Sequence, residues 1–146
     1  MRVFISYCDN DGLQLAQKAA VLLEKYGHEV WYYDRNKTPG IPRVSDITRN
    51  IEACRVIMML WTEGSNSSRG QEKEIILWDI FDKILIVLPI DEVTVRMEIA
   101  GYNYERLRSS TFESEFEDKI ASNLTHIVRR IIRLSGMPIV GVRGRE

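Results

Sequence analysis

The sequence predicts an α/β domain in which a parallel sheet is covered by helices on both faces. Three observations lead there. Short β-branched or apolar runs alternate three times with segments of helical period, which is the pattern of βαβ units. The runs Val56–Trp61 and Ile84–Leu88 are apolar throughout, so neither leaves a sheet face for water. A chain of 146 residues, 45% hydrophobic and 28% charged, has room for one core, and the expected unit spans residues 1–135 with a tail at 136–146.

Each element has its own signal. Val3-Phe4-Ile5-Ser6-Tyr7 reads as a first strand opening the domain at once, closed by the polar cluster Cys8–Gly12. Over 13–26, Leu15, Ala16, Ala19, Ala20, Leu22 and Leu23 recur at helical spacing, Asp9 to Asp11 supply candidate N-caps, and Gly27 fits the C′ position. A second strand follows over His28–Tyr33. The segment Asp34–Pro42, with Pro39-Gly40 and Pro42, is expected as a polar loop without regular structure. Val44, Ile47 and Ile51 predict a short helix before the strand Val56–Trp61. The Ser/Gly/Asn-rich stretch Thr62–Arg69 then leads into a helix over 71–82 and the strand Ile84–Leu88. Tyr102–Leu107 is expected as a fifth, edge strand. One last helix carries the stripe Phe116, Ile120, Leu124, Ile127, Ile131 and Leu134 behind a Ser110/Glu113 capping box, with Arg129, Arg130 and Arg133 toward its end.

Composition removes several functions. A net charge of −1 provides no basic excess for nucleic acid. No apolar run approaches the roughly 20 residues that span a bilayer, and no signal-peptide h-region opens the chain, so a cytoplasmic protein without a membrane partner is expected. Two cysteines, Cys8 and Cys54, beside apolar runs read as small core residues.

In an open parallel sheet the ligand crevice lies beyond the carboxyl ends of the strands, which directs attention to three loops. The loop Ser6–Gly12 is acidic and lacks both the Gly-x-Gly-x-x-Gly fingerprint and the P-loop, which removes dinucleotide dehydrogenases and NTPases of those types. Its Asp9 and Asp11 suggest the acidic pocket of a response-regulator receiver, but that fold needs an aspartate at the end of strand three, where this chain has Leu60-Trp61-Thr62. Helix capping explains the two aspartates better. Asp34–Arg43 offers Arg35, Lys37 and Arg43 beside three aromatics, either as a solvated loop or as a cationic flap for phosphates. Beyond Thr62–Arg69, Glu72 and Glu74 lie about 200° apart around a helix, so one is expected to face the crevice and the other solvent.

Five ordered blocks carry a resemblance: Val3-Phe4-Ile5-Ser6-Tyr7; Gly27-His28-Glu29-Val30-Trp31 with Asp34; Pro39-Gly40; Ile51-Glu52-Ala53-Cys54-Arg55-Val56-Ile57; and Ser65, Ser68 and Glu74. In order and spacing the chain resembles the Toll/interleukin-1 receptor (TIR) domain over residues 1–90, and in general layout thereafter. The resemblance implies a flavodoxin-like three-layer sandwich of four to five parallel strands in the order 2-1-3-4-5, with Asp34–Arg43 as the BB loop. Family members either signal by TIR–TIR association or cleave NAD at the nicotinamide-ribose bond with a glutamate on the third helix. Counting from the Ser-x-x-Ser run places that glutamate at Glu74. Many active members carry an aromatic residue four positions earlier; here it is Gly70.

The chemistry asks for one carboxylate. Nicotinamide leaves a cationic ring as a neutral molecule, so the barrier lies in an oxocarbenium-like ribosyl transition state rather than in protonation. On the resemblance, Glu74 is the expected catalytic residue. Ser6, Tyr7, Trp31, Asp34, Arg35, Pro39, Gly40, Arg43, Ser65 and Ser68 are the expected substrate-binding residues, with Tyr7, Trp31 or Tyr33 stacking on a planar ring and Arg35 or Arg43 meeting phosphates. No metal or cofactor is expected beyond NAD as substrate. The implied function is an NAD glycohydrolase or ADP-ribosyl cyclase of the stand-alone bacterial or archaeal type, similar to those of Thoeris-type antiphage defence, self-associating and feeding an effector that senses the product. A non-catalytic interaction module, favoured by Gly70, and an enzyme resembling nucleoside 2-deoxyribosyltransferases are the alternatives.

Overall fold

A computed structural model describes residues 1–135, and the expected tail at 136–146 lies outside the described residues. Strands β1 (Arg2–Ser6), β2 (Glu29–Trp31), β3 (Val56–Trp61) and β4 (Ile84–Pro89) form one parallel sheet in the order β2-β1-β3-β4. Val3 is in register with Val30 on one side and Val56 on the other, and Val56 with Ile84. The chain leaves β1 in one direction to build β2, then crosses back over it to build β3. That reversal opens a crevice between the carboxyl ends of β1 and β3.

The helices are α1 (Leu13–Lys25), α2 (Tyr33–Asn36), α3 (Arg43–Ala53), α4 (Arg69–Phe81), α5 (Met97–Ala100), α6 (Phe112–Lys119) and α7 (Leu124–Ser135). Strand alternation sends Val3, Ile5, Met58 and Ile86 to the face shared with Leu23, Phe116 and Val128. Phe4, Ile57, Met59 and Val87 meet Ile47, Ile51 and Ile99 on the other. Gly27, at φ +88°, ends α1 at the expected C′ position.

Five local expectations are corrected. Asp9 to Asp11 do not cap α1, whose N-cap is Gly12 without a side-chain bond, because these carboxylates are engaged across the crevice. The Asp34–Pro42 loop begins with the helical turn α2, where the Asn36 side chain accepts the Tyr32 N–H at 3.1 Å. The last helix is broken at Ile120 (φ −120°, ψ −66°) into α6, a 3₁₀ turn at Ala121–Asn123 and α7, and both Phe116 on one side of the break and Ile132 on the other are buried in the core. The Ser110/Glu113 box is absent: Thr111 is the N-cap and its hydroxyl bonds the Glu115 carboxylate. Tyr102–Leu107 follows β4 in parallel but makes only isolated bridges, Val87 to Asn103 and Ile90 to Leu107, since the ladder lapses between them.

Candidate functional site

The carboxyl ends of β1 and β3 and the starts of α3 and α4 enclose a cleft of about 560 Å³, a size typical of small-molecule sites. Helix α4 sets its chemistry. Ser68 is the N-cap, its Oγ accepting the Gln71 N–H at 3.2 Å. From there Gln71, Glu74, Ile75 and Trp78 recur at helical spacing on the inward side, which carries the Glu74 carboxylate down onto β1. Ser6 Oγ–H donates to Glu74 Oε1 at 2.5 Å, beneath the cleft floor. Glu74 is 6% exposed. Burial pushes its carboxyl up to about 7 against the opposing pull of the Ser6 hydrogen bond and the Arg43 charge, while Asp9 adds to the rise. Glu72 turns to solvent and pairs with Arg96 at 3.2 Å.

The rim is built by contacts between loops distant in sequence. Asp11 accepts the Thr62 hydroxyl at 2.5 Å and the Gly64 N–H at 2.8 Å, fastening the loop after β1 to the 3₁₀ turn Glu63–Ser67 that follows β3. That turn packs so closely that a Cβ on Gly64 would stand 2.8 Å from Cys8 Sγ and 2.9 Å from Asp11 Oδ1, which reserves the position for glycine. Across the mouth, Arg43 at the start of α3 pairs with Asp9 at 3.1 Å and lies over the Tyr33 ring at 4.3 Å. Tyr7 lines the cleft; its hydroxyl accepts the Asp34 N–H at 3.1 Å, and burial pushes the phenol up to about 12.

Of the expected site residues, the structure brings Tyr7, Arg43, Ser68 and Glu74 to the cleft, with Ser6 directly beneath. Ser65 is fully buried and braces the rim, its Oγ accepting the Thr62 N–H at 2.9 Å. Trp31 packs against Phe4 with ring centroids 5.2 Å apart and Arg35 is held by Glu24 and the Val30 carbonyl, so neither lines the cleft. Asp34 reaches the cleft only through its backbone bond to Tyr7. Pro39 and Gly40 (φ +84°) sit on an exposed turn outside the lining, pinned by Asp46, whose buried carboxylate accepts the Thr38 N–H at 2.7 Å. Sequence reasoning read Asp9 and Asp11 as helix caps rather than rim residues, and did not single out Arg69 and Lys73, whose signal is that they stand four residues apart on one helical stripe. Among the described residues no cluster of three His, Cys, Asp or Glu is arranged to hold a metal, and no helix is long and apolar enough to cross a membrane.

The TIR domain family model matches residues 3–123. A search of curated proteins gives no match. Among solved structures, the TIR domain of the Toll-related receptor TRR-2 from Hydra magnipapillata is similar at TM-score 0.68 and 18% identity, covering 87% of this chain and 97% of that one. The TIR domains of the activated Roq1 resistosome are similar at TM-score 0.57 and 19% identity, over 88% of this chain and 77% of theirs. The CMP N-glycosidase BcmB of Clostridium botulinum is similar at TM-score 0.56 and 20% identity, over 82% and 97%. With the order β2-β1-β3-β4, the crossover at β1 and a family match over most of its length, the chain belongs to the TIR domain family.

Proposed function

We infer that this TIR domain is an N-glycosidase acting on NAD at the nicotinamide-ribose bond, to give nicotinamide and linear or cyclic ADP-ribose. The observation that carries the reading is the buried carboxylate of Glu74, held by Ser6 at the floor of a ligand-sized cleft. As the glycosidic bond breaks, nicotinamide departs with the electron pair and the ribose ring takes up positive charge. A fixed anion beside that ring stabilises the charge, most strongly where water is excluded. Water, or a nucleophile of the same molecule, then bonds to the ribosyl carbon and releases its proton.

The likeness to a CMP N-glycosidase supports this bond class and favours a second reading, cleavage of a nucleoside monophosphate. A neutral pyrimidine leaves more readily when protonated, and a carboxyl raised by burial to about 7 keeps a proton to give at higher pH than an ordinary carboxyl. Self-association belongs to the first reading: exposed Val44 beside the cleft and exposed Ile76 and Ile80 along α4 offer an apolar rim for a second protomer. Pure protein incubated with NAD or CMP and resolved by chromatography tests both. NAD is expected to yield nicotinamide at a rate per protomer that rises with protein concentration and falls about 10²- to 10³-fold in Glu74→Gln, with Glu72→Gln near the parent rate. Equal NAD cleavage by the parent and Glu74→Gln overturns the assignment, and release of cytosine from CMP alone selects the second reading.

A further inference from the structure

The geometry points to a phosphate subsite at the mouth of the same cleft, formed by Arg69 and Lys73 with Arg43, which makes the substrate class phosphorylated nucleosides and excludes free ones. It rests on the N-glycosidase reading for its function, but on separate residues for its evidence. Arg69 and Lys73 occupy the first two turns of α4 and both line the cleft. Other lysines and arginines, among them Arg2, Lys25, Arg35, Arg49 and Arg96, are held by carboxylates, whereas neither of these two has a hydrogen-bond or ion-pair partner among the described residues. The acidic residues nearby are committed elsewhere: Glu72 to Arg96, Asp9 to Arg43 and Glu74 to Ser6.

Left alone, this arrangement is unfavourable twice over. Like charges four residues apart on a helix repel, and a cation in the first turn opposes the positive end of the helix dipole. A bound anion reverses both. Space for one exists beside Gly70: apart from its own helix, a Cβ there would approach nothing nearer than Ser68 Oγ at 3.8 Å and the Arg43 guanidinium at 4.0 Å. Glu74 lines the same cleft as Arg43, Arg69 and Lys73, so an anion among the three cations shares the pocket of the sugar site. A nucleoside with a phosphate on its ribose, as a monophosphate or within a pyrophosphate, carries both a sugar for Glu74 and an anion for the cations, and guanidinium groups match phosphate oxygens in pairs.

The test separates this subsite from the catalytic assignment. Calorimetric titration with ADP-ribose, which has no nicotinamide bond to break, is expected to show binding to the parent chain that weakens as salt rises. In the Arg69→Gln/Lys73→Gln double variant Kd is expected to rise at least about tenfold, as charge-assisted bonds imply. Arg130→Gln/Arg133→Gln on α7 removes two charges elsewhere and is expected to bind as the parent does. In turnover, the preference in kcat/KM for nicotinamide mononucleotide over nicotinamide riboside is expected to fall by a similar factor in the cleft double variant. Parent-like ADP-ribose affinity in that variant, or absence of binding to the parent at millimolar concentration, overturns the subsite even if Glu74-dependent cleavage is observed. Arg69- and Lys73-dependent binding without any cleavage upholds the subsite and removes the catalytic reading instead.

Discussion

The two faces of the sheet are built on different principles. The face covered by α1, α6 and α7 is packed by apolar side chains such as Val3, Ile5, Leu23, Phe116 and Val128. Every buried polar or charged side chain among the described residues, namely Ser6, Asp46, Thr62, Ser65, Gln71 and Glu74, belongs instead to β1, α3, α4 or the connection between β3 and α4. Apolar burial is favourable in proportion to area, whereas each buried polar group has to recover its lost hydration through a specific bond. One face therefore supplies stability, and the other uses part of it to hold a carboxylate where water would be the better solvent.

Truncation on the dry face gives the largest expected effect on this contrast. Phe116 is fully buried and stacked on Phe112 with centroids 5.2 Å apart. Phe116→Ala is expected to lower unfolding free energy by about 3–5 kcal/mol, measured by urea denaturation, while the pH dependence of turnover in the surviving folded fraction stays that of the parent.

On the polar face the sign reverses. The Glu74 carboxyl is raised from its ordinary 4.5 to about 7, chiefly by burial, so the folded state holds its proton more tightly than the unfolded chain. Its contribution to stability is fully present below about 4.5 and is lost as pH rises through about 7. Glu74→Gln removes this dependence and keeps an acceptor for Ser6. The variant is expected to be more stable than the parent at pH 8 by on the order of 2–3 kcal/mol, with the difference vanishing near pH 4. Denaturation curves at both pH values check this, and equal stability at pH 8 would break the proposed trade between stability and chemistry.

What the sequence disclosed follows from the range of each interaction. The four sheet strands and the three long helices α1, α3 and α4 were legible because their signals are local: period, and the glycine after α1. Glu74 was legible as well, since the 200° between it and Glu72 assigns the two to opposite sides of one helix. The break at Ile120 was not, because the apolar stripe runs through it unchanged. The true roles of Asp9 and Asp11 lie in contacts to residues 34 and more than 50 positions away, which no local pattern records. Trp31 and Arg35 misled for a related reason: an aromatic or a cation near a strand end packs on whatever neighbour it meets, here Phe4 and Glu24.

The clamp between the two loops offers an intermediate effect. Asp11→Ala removes both acceptors of Thr62 and Gly64, and is expected to cost about 1–2 kcal/mol of stability and to loosen the cleft rim, raising KM more than it lowers kcat. Asp11→Asn keeps one carbonyl acceptor and is expected to recover part of the loss. Equal KM values in the alanine variant and the parent would separate the clamp from the site.

The smallest expected effect is the most diagnostic. Ser6 donates to Glu74 Oε1 at 2.5 Å from beneath the cleft, so its hydroxyl is spent on the carboxylate rather than offered to a ligand. That bond stabilises the ionised form and holds the Glu74 carboxyl below where burial alone would put it. Deleting it in Ser6→Ala raises the pKa further, and because the ionised carboxylate is the form that meets a ribosyl cation, the acid limb of the kcat/KM profile is expected to move to higher pH by up to about one unit. Activity at neutral pH falls several-fold and returns toward the parent value near pH 9. A hydroxyl that bound substrate directly would instead lower kcat/KM by the same factor at every pH. A pH-independent loss in Ser6→Ala would therefore return Ser6 to the substrate-binding role that the sequence resemblance implied, and a profile unchanged in both height and position would deny it either role.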